Sequence, residues 1–208
     1  MEIEYRGANC VVIKDKNILI VVDPTTNVSV KEAKESNAMV LATQEKFAPS
    51  ELEAKNFVID MPGEYEHKDV SVRGIAVRAH LDVNEQAKNA TMYAIEAGDT
   101  RIVVIGHTVA PLNDDDLESL GTVDIVIIPV GGGGYTLDAR DAATIVRQIS
   151  PKVVIPTHYA DTHIKYEVPQ EPIENFVKEL ASAHEKASVL KVKTLPEVLT
   201  IYELARTV

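Results

Sequence analysis

Cysteine is nearly absent: Cys10 is the single one in 208 residues. No internal disulfide framework can form, so a reducing, cytoplasmic setting is expected. No block of Lys or Arg interrupts the chain, and the net charge is -11. Nucleic-acid backbones and anionic membrane surfaces repel such a chain, so neither is expected as the main partner. Long apolar runs are missing too. The stretch 123–130, VDIVIIPV, is among the longest, far short of the ~20 residues that span a bilayer. Met1-Glu2-Ile3-Glu4 has neither a basic start nor an apolar core, so no secretory leader is expected. The chain shows no low-complexity tract and no internal repeat. It has no Gly-X-Ser-X-Gly, so serine-hydrolase chemistry finds no support.

Apolar residues make up 45% of the chain, within the globular range, and the length suits one domain over residues 1–208. Residues 3–13 and 18–22 are β-rich and flank a turn at Lys14–Asn17. ILIVV halts at Asp23-Pro24, and 38–43 (AMVLAT) forms another short strand. Pro49-Ser50-Glu51-Leu52 has the look of a helix start. Further strands follow in NFVIDM, VSVRGIAV, TMYAIEA and RIVVIG. Asn113 caps a short helix over 113–120 whose three acids favour its positive end. VDIVIIPV is apolar at nearly every position, as a strand covered on both faces must be. Ala142, Ile145, Val146 and Ile149 define one face of a helix over 138–149. KVVIP is a strand, and Ile173, Phe176, Val177 and Leu180 predict a helix over 172–186 that carries His184. Segments 188–192 and 198–203 are β-like. Helices covering a sheet on its outer faces is the packing this order favours.

The chemistry-bearing residues gather at strand ends. His80 follows GIAVRA, His107 follows RIVVIG and His158 follows KVVIPT. Three strand-exit histidines can converge on one rim, where sites are built, and imidazole is the commonest metal ligand. Taken singly, each is equally a polar residue at a strand exit, hydrogen-bonded or wet. His67 and His163 fall in loop-like stretches. The run PVGGGGY is not a phosphate loop: no Gly-Lys-Ser/Thr follows, and Asp138 and Asp141 open the next helix, where they repel phosphate. Its glycines suit a tight backbone crossing near a site. Cys10, inside a strand, reads as a small buried apolar residue.

Several segments, in order, resemble the metallo-β-lactamase superfamily, in particular its small branch of Zn-dependent hydrolases. YRGANCVVI with ILIVVDP is similar to the opening hairpin, usually Tyr-X-Gly-His-Ser-Cys followed by Asp-Pro. MPGEYEHKDVSVRGIAVRAH resembles the segment leading to a ligand histidine. RIVVIGH stands where Gly-Asp is usual. VDIVIIPVGGGGYTLDARDAATIVRQISPKVVIPTHY carries the closest similarity. The resemblance implies an α/β fold, a four-layer αββα sandwich with metals at one edge of the two sheets and ligands from five segments.

Against that pattern the ligands thin out. The positions of His-X-His-X-Asp-His hold Gln44, Lys46, Ala48 and Pro49, the early histidine falls at Ala8, and the bridging aspartate falls at His107. None of the first five replaces a zinc ligand, and a Lys46 ammonium either repels a dication or stands in for its charge. The expectation is a protein that has lost most of the dinuclear site, without a cofactor. It is non-catalytic or altered in activity, binding an unidentified small molecule or protein, with a homo-oligomer possible. The alternative is a metal-dependent hydrolase with one zinc on His80, His107 and His158, because three imidazoles and an open position suffice for a catalytic zinc.

Overall fold

A computed structural model of the chain describes residues 1–24, 37–49 and 56–207. Strands β1 (Glu2–Gly7), β2 (Cys10–Asp15) and β3 (Ile18–Val22) form an antiparallel meander. β4 (Met39–Leu41) and β5 (Phe57–Ile59) extend it in parallel from β3. A second sheet runs antiparallel through β6 (Gly63–His67), β7 (Val70–Val77), β8 (Ala90–Ala97) and β9 (Thr100–Val104). It continues in parallel from β9 through β10 (Ile125–Pro129), β11 (Val153–Thr157), β14 (Thr200–Leu204) and β12 (Ala183–Ala187). The two-residue β13 (Leu190–Lys191) edges the first sheet beside β1, giving six strands there and eight in the second sheet.

Parallel neighbours need crossovers, and helices supply them. α1 (Asp114–Leu120) joins β9 to β10, α2 (Ala139–Ile149) joins β10 to β11, and α3 (Ile173–Leu180) follows β11. Asn113 and Asp138 cap α1 and α2 by accepting the N–H three residues on, each at 2.8 Å. β10 and β11 explain their unbroken apolar runs. Ile125, Ile127, Val153 and Ile155 face the other sheet, where they meet Val11, Ile20 and Leu41. Val126, Ile128 and Val154 face Ala142, Ile145, Val146 and Phe176 of the helices. Cys10, Val12, Val21 and Val40 lie on the outer face of the first sheet and are buried. Among the described residues no helix lies on that face.

Two sequence expectations are corrected. Residues 3–13 are two strands, broken at Ala8 and Asn9, where Ala8 takes φ 47°. The helix expected over 172–186 ends at Leu180, because the apolar stripe stops there and Ala181 adopts the left-handed cap (φ 54°), its N–H bonded to Val177 O. Residues 183–187 instead form β12, and His184 pairs with Glu203 of β14 at 2.9 Å. The helix start expected at Pro49–Leu52 falls, beyond Pro49, outside the described residues.

Candidate functional site

In parallel strands all carboxyl ends share one rim, and the loops leaving it form the usual crevice for ligands. Asp23 leaves β3, Thr43 and the 3-10 turn Glu45–Phe47 leave β4, His107 leaves β9, the glycine run leaves β10, and His158 leaves β11. The turn between β1 and β2 brings Ala8 and Asn9 to the same place, with His158 N–H donating to Ala8 O at 2.8 Å.

Asn9 is the hub. Its Oδ1 accepts the Thr157 hydroxyl proton at 2.7 Å. That orients the amide so that Nδ2 donates to Asp23 Oδ2 at 3.3 Å and toward His107 Nδ1 at 3.4 Å. Asp23, completely buried and at φ 43°, also accepts Thr43 N–H and the Thr43 hydroxyl, both at 2.7 Å. Burial pushes its carboxyl up to about 7, against the pull of those donors.

The network assigns opposite tautomers to two neighbouring imidazoles. His107 and His158 are both 3% exposed, with ring centres 5.4 Å apart, edge to face. Burial holds His107 well below its ordinary value, with His158, Lys46 and His80 adding to the effect. Burial also takes His158 down to about 4, although its bond to Gln170 opposes this. Both rings are therefore neutral near pH 7. His107 Nδ1 receives an N–H from Asn9, so its proton sits on Nε2, a buried atom with no partner. His158 is the reverse. Gln170 donates its amide N–H to Val168 O and turns Oε1 to His158 Nδ1 at 3.0 Å. The His158 proton is thus on Nδ1, and Nε2 carries a lone pair.

Aromatic side chains fill the space around them. Phe47 stacks on His107 with centres 4.8 Å apart, and Tyr135 meets His107 at 5.5 Å and stacks on His158 at 5.8 Å. Tyr166 lies 5.0 Å from His158. Above them the exposed Lys46 ammonium donates to Tyr135 Oη at 3.0 Å and lies 4.9 Å and 5.0 Å from the Phe47 and Tyr135 ring centres. The tight crossing expected of the glycine run occurs at Gly131, where a Cβ would fall 2.0 Å from His158 O.

Of the residues singled out in sequence, His107 and His158 come together, and His80 is beside them: its N–H donates to His107 O at 2.7 Å and its Nδ1 is buried without a partner. His67 stacks on Phe57 at 5.3 Å, His163 sits in an exposed loop with Asp161, and His184 lies on β12. Asn9, Phe47, Tyr135 and Gln170 escaped sequence reasoning. No local signal links Asn9 to Thr157, 148 positions away.

The donors do not fit a two-metal centre. A metal-binding imidazole normally gives its second N–H to an acceptor, leaving the ligating nitrogen a lone pair. His158 is arranged that way, whereas His107 is arranged against it. Asp23 is the one fully buried carboxylate among the described residues, and both of its oxygens are engaged. Among the described residues no three His, Cys, Asp or Glu side chains group closely enough to hold a metal.

Residues 2–158 match the beta-lactamase superfamily domain, and the chain belongs to that family. A UPF0173 protein of Pyrococcus abyssi is 27% identical over 180 residues, 76% of this chain and 83% of that protein. A second, from Pyrococcus furiosus, is 32% identical over 92 residues, and the match spans only 42% of its length. A UPF0173 metal-dependent hydrolase of Thermococcus onnurineus is 33% identical over 72 residues, 34% of this chain and 32% of that protein. A crystal structure from Thermotoga maritima, of a protein assigned to the metallo-β-lactamase superfamily, superposes with TM-score 0.77 at 22% identity, covering 98% of this chain and 99% of the other.

Proposed function

We propose that the rim around His107 and His158 binds a small polar ligand through hydrogen bonds and charge, without the two-metal centre that the superfamily resemblance implied. The chain then has no hydrolytic activity or an altered one. The observation that supports this is the pairing of a donor imidazole, His107 Nε2–H, with an acceptor imidazole, His158 Nε2, beneath an ammonium. The positions Ala8, Gln44, Lys46, Ala48 and Pro49 add no carboxylate or imidazole to it. Elemental analysis of protein produced in zinc-, iron- and manganese-supplemented medium tests the reading. Well under one equivalent of metal per chain is expected, and two equivalents would overturn it.

A second reading is a metal-dependent hydrolase with one zinc on His80, His107 and His158, whose side chains would have to draw closer together than they stand here. It draws support from the two unpartnered nitrogens, His80 Nδ1 and His107 Nε2, and from the hydrolases among the relatives. Zinc there would supply Lewis-acid activation, and His107 would have to give up its Nε2 proton. One equivalent of zinc, lost in His107→Ala, would establish this reading in place of the first.

A further inference from the structure

A cavity of about 180 Å³ lies where β7 ends, between that strand, residues 85–88 and the segment from Thr108 to Asp116. Arg78 and Lys88 line it together with Glu85 and Asp116, so these four side chains sum to no net charge. Val77, Val109 and Pro111 add apolar surface. None of the strand-exit histidines belongs to this lining. Two of the charged groups are poorly served. Arg78 Nε is buried and has no hydrogen-bond partner among the described residues, while Nη2 donates to Asp82 O at 3.1 Å. A buried donor left unmade costs stability. Asp116 is half-buried, and burial raises its carboxyl above the ordinary 3.8 although Lys88 pulls the other way. Its negative charge is therefore incompletely compensated where it stands.

We propose that this cavity is a second site, separate from the rim, for a small zwitterion of the α-amino-acid type. The ligand carboxylate binds Arg78 and Lys88, its ammonium binds Asp116 and Glu85, and a short apolar side chain rests on Val77, Val109 and Pro111. Charge selects the class. A ligand with a single charge satisfies one pair of the lining and is repelled by the other. A free anion is opposed further by the chain's net charge of -11. A molecule carrying both charges meets both pairs, and a guanidinium binds a carboxylate more strongly than it binds a neutral acceptor. Size selects within the class. The volume equals that of about six water molecules at ~30 Å³ each, below the ~300–1,000 Å³ of drug-sized sites, so a compact side chain fits and an aromatic one does not.

The test uses the full chain. Calorimetry and NMR follow titrations with L-valine, with isovalerate, which lacks the ammonium, with isobutylamine, which lacks the carboxylate, and with L-phenylalanine. Valine is expected to shift the Arg78 Nε–H and Asp116 amide signals and to bind about tenfold or more tighter than the other three. Arg78→Gln and Asp116→Asn are each expected to weaken valine about tenfold or more. In Asp116→Asn the backbone N–H still donates to Asn113, so that variant reads the site even where Arg78→Gln fails to fold. Valine that does not bind overturns the inference. So does isovalerate or isobutylamine binding as tightly as valine, or Asp116→Asn binding valine unchanged. Valine shifts centred on His107 and His158, with Arg78 unmoved, place the ligand at the rim and overturn it as well.

Discussion

Replacing Asn9 with leucine removes the hub of the rim while nearly keeping its volume. Asn9 is 5% exposed and makes three side-chain contacts. The 2.7 Å bond from Thr157 is the strong one, and the contacts to Asp23 and His107, at 3.3 and 3.4 Å, are long. A buried polar group left without its partner costs about 1–3 kcal/mol, and long bonds contribute at the low end, so the three together come to about 3 kcal/mol. The pH dependence is specific. The folded-state value of Asp23, about 7, lies above the ordinary 3.8. Its contribution is therefore fully present below about 3.8 and fades as pH rises through about 7. Losing the Asn9 donor raises the carboxyl further, so the ionised form is penalised more in the variant. Urea unfolding followed by circular dichroism at about pH 5.5 and about pH 8.5 measures both effects, and the deficit of Asn9→Leu should be larger at the higher pH. A deficit under about 1 kcal/mol, or one that shrinks with rising pH, would refute the placement of Asn9 beneath the rim.

Gly131→Ala places a methyl 2.0 Å from His158 O and 2.5 Å from Gln170 Oε1. It should cost about 2–4 kcal/mol and displace the His158 imidazole signals, as thermal unfolding and NMR would show. Tyr93→Phe removes a buried hydroxyl on β8 that donates to Ala42 O at 2.8 Å and Ile59 O at 3.1 Å, tying the two sheets together. A loss of about 1–2 kcal/mol in denaturant unfolding is expected. The bond from Lys14 holds the Glu4 carboxyl below its ordinary 4.5. That contribution is present above about 4.5 and disappears as pH falls through the lower folded value. The penalty of Glu4→Gln, at most about 0.5–1 kcal/mol at neutral pH, should shrink as pH falls below the ordinary 4.5 in urea titrations.

The fold was largely legible because its signals are local. Five-residue apolar runs such as IVIIP must be buried on both faces, and the stripe of Ala142, Ile145 and Val146 can only be a helix against a sheet. The tail misled because the stripe that starts α3 says little about where it stops. AHEKA is exposed and charged, without alternation, and becomes a strand only by pairing with β14.

The site divides along the same line. The sequence by itself put His107 and His158 at the ends of strands, and its resemblance to the superfamily put Gln44, Lys46, Ala48 and Pro49 where metal ligands are usual. Only the tertiary structure decided which nitrogen of each imidazole carries the proton, that Phe47 stacks on one ring, and that Lys46 reaches Tyr135. Those outcomes rest on hydrogen bonds and ring contacts across as many as 148 positions of chain. No periodicity or spacing encodes such contacts, because they depend on where separate strands end once the two sheets have packed.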